Sequence, residues 1–285
     1  MPLISQLRQF ATTHVATAQG AVSFRLACTS GHKGPVTHVL LHGIGSASAS
    51  WLAQLLQVST GGKPASHVLA WDAPGYGDST ALPMETPVAA DYAARVWAWL
   101  DAAGVDAAVP FTLVGHSLGA LMAASAAAAA PQRIKRLVLL APAQGYARTA
   151  PAVRAQKLAD RLASLAQLGP AGMAKKRGRA MLSAQASDAQ IAFVEHVMAG
   201  IHPQGYAQAA RMLAGGDVAA DLGRLSCPVV VASGSADTIT SPAGCQALAK
   251  SIGAPYVPLG EVGHSCALEA AAQVNRLIGI AEETE

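Results

Sequence analysis

Short apolar runs alternate with stretches of helical periodicity along most of the chain. Several runs are apolar at nearly every position, which is typical of strands in a parallel sheet covered on both faces. The predicted strands are Val22–Cys28, His38–His42, Val68–Trp71, Phe111–Val114, Leu137–Leu140, Val229–Ser233 and Pro255–Leu259. The predicted helices are Ser50–Val58, Val88–Ala103, Leu118–Ala130, Ala243–Ile252 and Cys266–Ala281. This alternation predicts an α/β fold with a doubly wound, mostly parallel sheet.

The alternation stops at residue 144 and resumes at residue 217. The stretch between holds no strand pattern and reads as helices interrupted by glycine and proline, for example at Gly169-Pro170. We expect residues 1–143 and 217–285 to form an α/β core, with residues 144–216 inserted as a helical cap. The insertion carries nine Lys and Arg against three Asp and Glu, whereas the whole chain has a net charge of +3. A solvated helical surface is the simpler interpretation of this charge; the functional one is a basic vestibule that favours anionic substrates.

Composition narrows the range of function classes. The 285 residues are 52% apolar and 13% charged, as in a globular protein. The longest apolar stretch, Leu118–Ala130, is shorter than the roughly 20 residues of a membrane-spanning helix. Residues 1–20 lack a secretory pattern, so we expect a cytoplasmic protein without a membrane partner. The charge is too low to indicate nucleic acid, and the four cysteines lack metal-site spacing, so we expect neither a metal nor a cofactor.

The strongest chemical signal is the segment Gly115-His-Ser-Leu-Gly119, which follows the predicted strand Phe111–Val114 and precedes an alanine-rich helix. A serine on a sharp strand-to-helix turn between small residues projects its hydroxyl clear of the backbone. The helix N-terminus that follows also stabilises negative charge nearby. Ser117 is therefore the predicted nucleophile.

A serine nucleophile needs a base, and the base needs an acid that fixes its tautomer. His264 lies on a loop between the last predicted strand and the last helix, at the sheet edge where Ser117 is expected. Asp237 directly follows strand Val229–Ser233 and is the predicted acid. Two other carboxylates, Asp72 and Asp78, compete for this role but precede the serine in a turn-rich loop.

The reaction also needs backbone donors for a developing oxyanion. We expect one from the amide of Leu118, the residue after the nucleophile. The second is expected from Ile44, with Gly43 as the alternative, on the loop after strand His38–His42. Six large residues of the insertion are candidates for an apolar pocket lining, although cap packing explains each one individually: Tyr146, Met173, Met181, Phe193, Met198 and Met212.

With these residues identified, the sequence resembles the α/β-hydrolase superfamily over nearly its whole length. Five motifs in order carry the resemblance: Leu41-His-Gly-Ile-Gly45, Trp71-Asp-Ala-Pro-Gly-Tyr-Gly-Asp-Ser79, Gly115-His-Ser-Leu-Gly119, Gly234-Ser-Ala-Asp237 and Gly263-His264. The resemblance implies an eight-stranded, mostly parallel sheet, a helical cap inserted after strand 6, and the nucleophile–acid–base order found here. Within the superfamily the chain looks most like the bacterial 3-oxoadipate enol-lactonase and carboxylesterase-like group.

The nearest rival group is the C–C bond hydrolases of aromatic ring-fission products. Those enzymes usually have a glycine-rich oxyanion loop where this chain has Ile44, and a tryptophan where it has Ser265. Related epoxide hydrolases and dehalogenases use aspartate at the elbow, which Ser117 excludes.

The expected function is hydrolysis of a small carboxylic ester or enol-lactone through an acyl-enzyme. Two enzymatic alternatives use the same residues: C–C bond hydrolysis, and acyl transfer or perhydrolysis. A third alternative is a non-catalytic ligand receptor built on this fold. The expected partner is a small acyl substrate, which can be anionic, and the expected assembly is a monomer or homodimer.

Overall fold

The centre of the molecule is an eight-stranded sheet, seen in a computed structural model that describes residues 2–31, 34–61 and 64–282. The strands are β1 (Thr13–Thr17), β2 (Gly20–Cys28), β3 (His38–Leu41), β4 (His67–Trp71), β5 (Phe111–His116), β6 (Ile134–Leu140), β7 (Val229–Ser233) and β8 (Tyr256–Pro258). Their spatial order is β1-β2-β4-β3-β5-β6-β7-β8. The pairs from β4 onward are parallel, and β2 is antiparallel to both β1 and β4. The predicted α/β fold with an eight-stranded, mostly parallel sheet is confirmed.

All seven strands predicted from apolar runs are present. One further strand, β1, was not predicted. Strand β1 lies at the edge of the sheet, where it has one partner strand, β2, and few contacts with the core. Its residues therefore alternate between half-buried and exposed. An edge strand of this kind carries no apolar run, so hydrophobicity alone does not reveal it.

Helices cover both faces of the sheet. They are α1 (Leu3–Leu7), α2 (Leu52–Ser59), α3 (Ala89–Ala102), α4 (Gly119–Ala129), α5 (Pro151–Arg177), α6 (Asp188–Ala199), α7 (Pro203–Gly215), α8 (Val218–Leu222), α9 (Pro242–Ser251), α10 (Cys266–Glu269) and α11 (Ala271–Ile278). Helices α3, α4 and α9 contribute to the core on one face, and α2 and α11 to the core on the other. Because α4 is buried almost all round, its side chains are mostly alanine, which lets it pack closely on the sheet.

The predicted final helix, Cys266–Ala281, is divided in the structure. A break at Ala270 separates α10 from α11, and the backbone there leaves the helical region. The local sequence is alanine-rich and favours a continuous helix, so the break reflects packing: Ala270 is buried in the core beside α2.

Between β6 and β7 the chain forms α5, α6, α7 and the short α8 and contains no strand, as its sequence pattern predicts. Helix α5 is kinked at Gly169, whose φ of 59° and ψ of 178° are not helical, and Pro170 follows. Glycine adopts this conformation without the steric cost other residues incur, and proline removes a helical hydrogen bond. Met173 and Arg177, in the half of α5 after the kink, line the pocket described below.

Candidate active site

Ser117 lies at a tight turn between β5 and α4. Its φ of 52° is strained for a non-glycine residue, and two interactions hold it: its amide donates to the Leu140 carbonyl at 2.9 Å, and its carbonyl accepts from Ala143 at 3.0 Å. The turn requires small neighbours, since a Cβ on Gly119 would lie 2.2 Å from the Leu41 carbonyl oxygen. The sequence GxSxG thus produces a serine held at the end of a buried strand.

The loop after β8 places His264 against Asp237, which follows β7. Nδ1 of His264 lies 2.8 Å from Oδ2 of Asp237, and both side chains are buried. Burial alone would raise the pKa of Asp237, but hydrogen bonds from His264 and from the amides of Ile239 and Thr240 lower it below its usual value. An ionised Asp237 accepts a hydrogen bond from Nδ1–H of His264, which leaves Nε2 of His264 unprotonated and able to act as a base.

The hydroxyl of Thr240 joins this pair, a contact that the sequence interpretation did not include. Its oxygen lies 2.8 Å from Oδ2 of Asp237, 3.2 Å from Nδ1 of His264 and 3.0 Å from the carbonyl of Ala141. The segment Asp237-Thr-Ile-Thr240 closes a turn in which Oδ1 of Asp237 accepts the amides two and three residues ahead. Thr240 therefore helps to fix the orientation of both side chains.

Ser117 and His264 line the same pocket. In the part of the chain that the structure describes, the Ser117 hydroxyl has no hydrogen-bond partner. Hydrogen bonds between a catalytic nucleophile and its base are often long in ligand-free enzymes and shorten when substrate binds.

The loop after β3 faces Ser117 across the pocket. Buried His42 fixes it: Nε2 accepts the amide of Ala73 at 3.0 Å, so Nδ1 carries the proton and donates to the Gly43 carbonyl at 2.8 Å. Burial lowers the pKa of His42 and keeps it neutral. The hydroxyl of Tyr76 donates to the Ile44 carbonyl at 2.6 Å.

The backbone amides of Ile44 and Leu118 remain without hydrogen-bond partners among the described residues. Both residues line the pocket next to Ser117. Two unpaired amides beside a serine are a suitable environment for an oxyanion.

The insertion supplies most of the far side of the pocket. Five of the six residues predicted to line it do so: Tyr146, Met173, Met181, Phe193 and Met198. Met212 does not; it is buried in the core on the α3–α4 face of the sheet. Of the basic residues of the insertion, only Arg161 and Arg177 line the pocket, while Lys175 and Lys176 are exposed elsewhere.

A second link that the sequence did not reveal joins the insertion to the His264 loop. Glu269 accepts the amide of Gly263 at 2.8 Å, and its other oxygen accepts the hydroxyl of Ser183 at 2.6 Å and the Ser183 amide at 2.9 Å. The amide of Ser265 also donates to the Met181 carbonyl at 2.8 Å. The loop that carries His264 is therefore fastened directly to the insertion.

Among residues 2–31, 34–61 and 64–282, no group of three His, Cys, Asp or Glu side chains could hold a metal ion. Within the same ranges, no helix combines the length and apolar character needed to cross a membrane.

Curated relatives match parts of the chain. A 133-residue stretch is 31% identical to a 2-hydroxy-6-oxononadienedioate/2-hydroxy-6-oxononatrienedioate hydrolase from Paraburkholderia phymatum, and it covers 46% of this chain and 45% of that protein. A 104-residue stretch is 31% identical to an (E)-2-((N-methylformamido)methylene)succinate hydrolase from Acinetobacter baylyi, and it covers 36% of each. The chain thus spans less than half the length of these relatives.

Solved structures match the fold over almost the whole chain. A thermophilic esterase from Thermogutta terrifontis superposes with a TM-score of 0.78 at 21% identity, covering 94% of this chain and 96% of that one. The enol-lactonase from Burkholderia xenovorans superposes with a TM-score of 0.77 at 20% identity, covering 93% and 98%. The resemblance to the α/β-hydrolase superfamily is confirmed. A model of the family described as serine aminopeptidase, S33, matches residues 36–259, and the chain therefore belongs to this family of α/β-hydrolase enzymes.

Proposed function

We propose that this hydrolase cleaves a small carboxylic ester or lactone through an acyl-enzyme formed on Ser117. The observation that carries the proposal is the buried 2.8 Å contact between His264 and Asp237, in the pocket where the strained Ser117 turn presents its hydroxyl. An acid, a base and a nucleophile with these roles define acyl-transfer chemistry on this fold.

In the proposed cycle, the Ser117 oxygen attacks the substrate carbonyl while Nε2 of His264 takes the hydroxyl proton. The tetrahedral intermediate collapses when His264 returns that proton to the leaving alcohol or enol oxygen. Water, deprotonated by the same nitrogen, then attacks the acyl-enzyme and releases the carboxylic acid and free Ser117. Asp237 stays ionised throughout and stabilises the imidazolium.

The developing oxyanion would be held by the amides of Leu118 and Ile44. Their lack of other partners supports this assignment, and Tyr76 and His42 fix the carbonyls of this loop. The Gly43 amide is equally unpaired among the described residues, so Gly43 stays the alternative second donor. Loss of one such donor typically reduces kcat by about 10²–10³. Residues 144–216 would act as a cap that excludes water from the pocket.

A second candidate is hydrolysis of a C–C bond in a ring-fission product. It is favoured by the stretch that is 31% identical to the dienedioate hydrolase. The two activities are separable, since a C–C bond hydrolase consumes a 2-hydroxy-6-oxo-dienoate with loss of its visible chromophore, whereas an esterase leaves that compound unchanged. The names of both curated relatives specify substrates with carboxylate groups, which favours an acidic substrate for this chain.

The test is hydrolysis of p-nitrophenyl acetate by the wild type and by Ser117→Ala and Asp237→Asn. Ser117→Ala should lose about 10⁴-fold or more in kcat and keep only the residual rate that the oxyanion donors and substrate binding supply. Asp237→Asn should lose on the order of 10³–10⁴-fold because the amide stabilises the wrong imidazole tautomer. Ser59→Ala, an exposed serine on α2, is the matched control and should keep full activity. Retained turnover in Ser117→Ala would eliminate the proposed nucleophile.

A further inference from the structure

Among the described residues, two arginines and no carboxylate line the pocket. Arg161 and Arg177 both contribute to its wall, and none of the lining residues is Asp or Glu. Neither arginine forms an ion pair with any residue in the described ranges. Arginines taken partly out of water are normally paired with an anion, so this arrangement leaves positive charge uncompensated within the protein.

The kink in α5 brings the two arginines to one site. They are 16 residues apart, and in a straight helix a separation of that size spans about 24 Å. The non-helical Gly169 lies midway between them and kinks the helix, so the two halves of α5 are not collinear.

Of the two, Arg161 is the one with a side-chain hydrogen bond. Its guanidinium lies 3.5 Å from the Tyr146 hydroxyl, and the Tyr206 hydroxyl also contacts it. Burial acts to lower the pKa of Arg161, but these hydroxyls raise it above the usual value, so the group stays charged. Tyrosine hydroxyls occupy only part of a guanidinium's five donors, so donors remain for a ligand in the pocket.

We propose that Arg161, assisted by Arg177, binds a carboxylate carried by the substrate at a distance from the bond that Ser117 cleaves. A guanidinium matches a carboxylate through two parallel hydrogen bonds. The pocket wall also includes the apolar side chains of Met173 and Phe193, which suit a short hydrocarbon chain. The natural substrate is thus a mono-ester or lactone of a dicarboxylic acid. This inference rests on the proposed function for its acyl chemistry.

The experiment compares two esters with the same leaving group and the same six-carbon acyl chain, p-nitrophenyl hydrogen adipate and p-nitrophenyl hexanoate. The wild type should prefer the acidic ester in kcat/KM. Arg161→Met should lose about 10- to 100-fold on the acidic ester and less than 3-fold on the neutral one, as expected for loss of a charge-assisted hydrogen bond. Arg177→Met should show a smaller loss with the same selectivity, and Arg161→Lys should lie between wild type and Arg161→Met.

Matched controls are Arg154→Met on the same helix and the exposed Lys176→Met, since neither residue lines the pocket. Both should leave the ratio of the two kcat/KM values unchanged. The proposal would be overturned if Arg161→Met lost equally on both esters. It would also be overturned if Lys176→Met changed the ratio of the two kcat/KM values as much as Arg161→Met does. If Arg161→Met does not fold, as circular dichroism would reveal, Arg161→Lys carries the comparison.

A binding measurement separates this inference from the proposed reaction. Calorimetric titration with adipate and with hexanoate requires no turnover. The wild type should bind adipate at least tenfold more tightly, and Arg161→Lys should lose most of that difference. If neither ester is hydrolysed but adipate binds in this way, the proposed function fails and the carboxylate site stands. If both esters are hydrolysed and the two acids bind equally, the carboxylate site fails and the proposed function stands.

Discussion

Nε2 of His116 lies 2.8 Å from the backbone carbonyl oxygen of His264, so the residue before the proposed nucleophile supports the residue proposed as its base. Burial lowers the pKa of His116 to about 3, so its ring is neutral at physiological pH. Because a carbonyl oxygen only accepts, Nε2 must carry the ring proton. The serine turn and the histidine loop are thereby joined independently of any substrate.

Replacement of His116 tests this link. His116→Leu should lower the free energy of unfolding by about 1–3 kcal/mol, the cost of a buried carbonyl left without its donor. It should also reduce kcat on p-nitrophenyl acetate, because the His264 loop loses a support. His116→Gln, whose amide nitrogen can donate from nearly the same position, should recover part of both losses. A His116→Leu protein as stable and active as the wild type would show that the contact is unimportant.

Two glycines on the loop after β3 make a matched pair. A Cβ on Gly43 would lie 3.0 Å from the Ser117 Cβ and 3.5 Å from its hydroxyl oxygen, whereas a Cβ on Gly45 would meet the flexible end of Met198. We expect Gly43→Ala to reduce kcat on p-nitrophenyl acetate by about 10²-fold or more, comparable to loss of an oxyanion donor. Gly45→Ala should change it less than about threefold, because a methionine adapts easily. Similar activities in the two variants would contradict the arrangement of this loop.

Glu269 should couple the insertion to the catalytic loop. In Glu269→Gln an amide NH₂ replaces one acceptor and faces the amide of Gly263 or the hydroxyl of Ser183, which should cost about 1–3 kcal/mol of unfolding free energy. Glu261→Gln, an exposed carboxylate on the same loop, is the control and should cost less than about 0.5 kcal/mol. Urea unfolding measures both. Equal stabilities would indicate that Glu269 is dispensable.

Because of His38, we expect the unfolding free energy to decrease in acid. It is buried in β3, and burial lowers the pKa of its ring to about 4 from the usual 6.5. Between these pH values the unfolded chain binds a proton that the folded chain does not, so the unfolding free energy falls as pH drops from about 6.5 to about 4. One such group contributes a slope of up to about 1.4 kcal/mol per pH unit. Urea unfolding of His38→Gln at pH 7, 6 and 5 should give a shallower slope than the wild type, and parallel slopes would contradict this assignment.

The parts of this molecule that could be predicted from the sequence are those whose structure is determined by neighbouring residues in the chain. The strands Val229–Ser233 and Phe111–His116 were identifiable because both faces of a central parallel strand are buried, which requires a continuous apolar run. The turn at Ser117 was identifiable because its backbone tolerates only small neighbours. Strand β1 and the break at Ala270 were not identifiable, because contacts with distant elements determine them.

The same reasoning applies to the site. The residues proposed as nucleophile, base and acid each follow a strand, so topology brings them to one sheet edge. Arg161 was indistinguishable from eight other basic residues of the insertion, since the tertiary packing of the kinked α5 decides which of them reach the pocket. Thr240 lies three residues after Asp237 in a turn, so its contact with Asp237 could have been inferred from that spacing. No local feature of the sequence indicated the contacts of Glu269.

Covalent labelling tests the central claim most directly. The folded wild type is incubated with a fluorophosphonate probe, and intact-mass and peptide mass spectrometry locate the adduct. We expect a single adduct on Ser117, absent from Ser117→Ala and formed far more slowly in His264→Ala, because the nucleophile depends on its base. A folded protein that stays unlabelled, or an adduct on another serine, would contradict it.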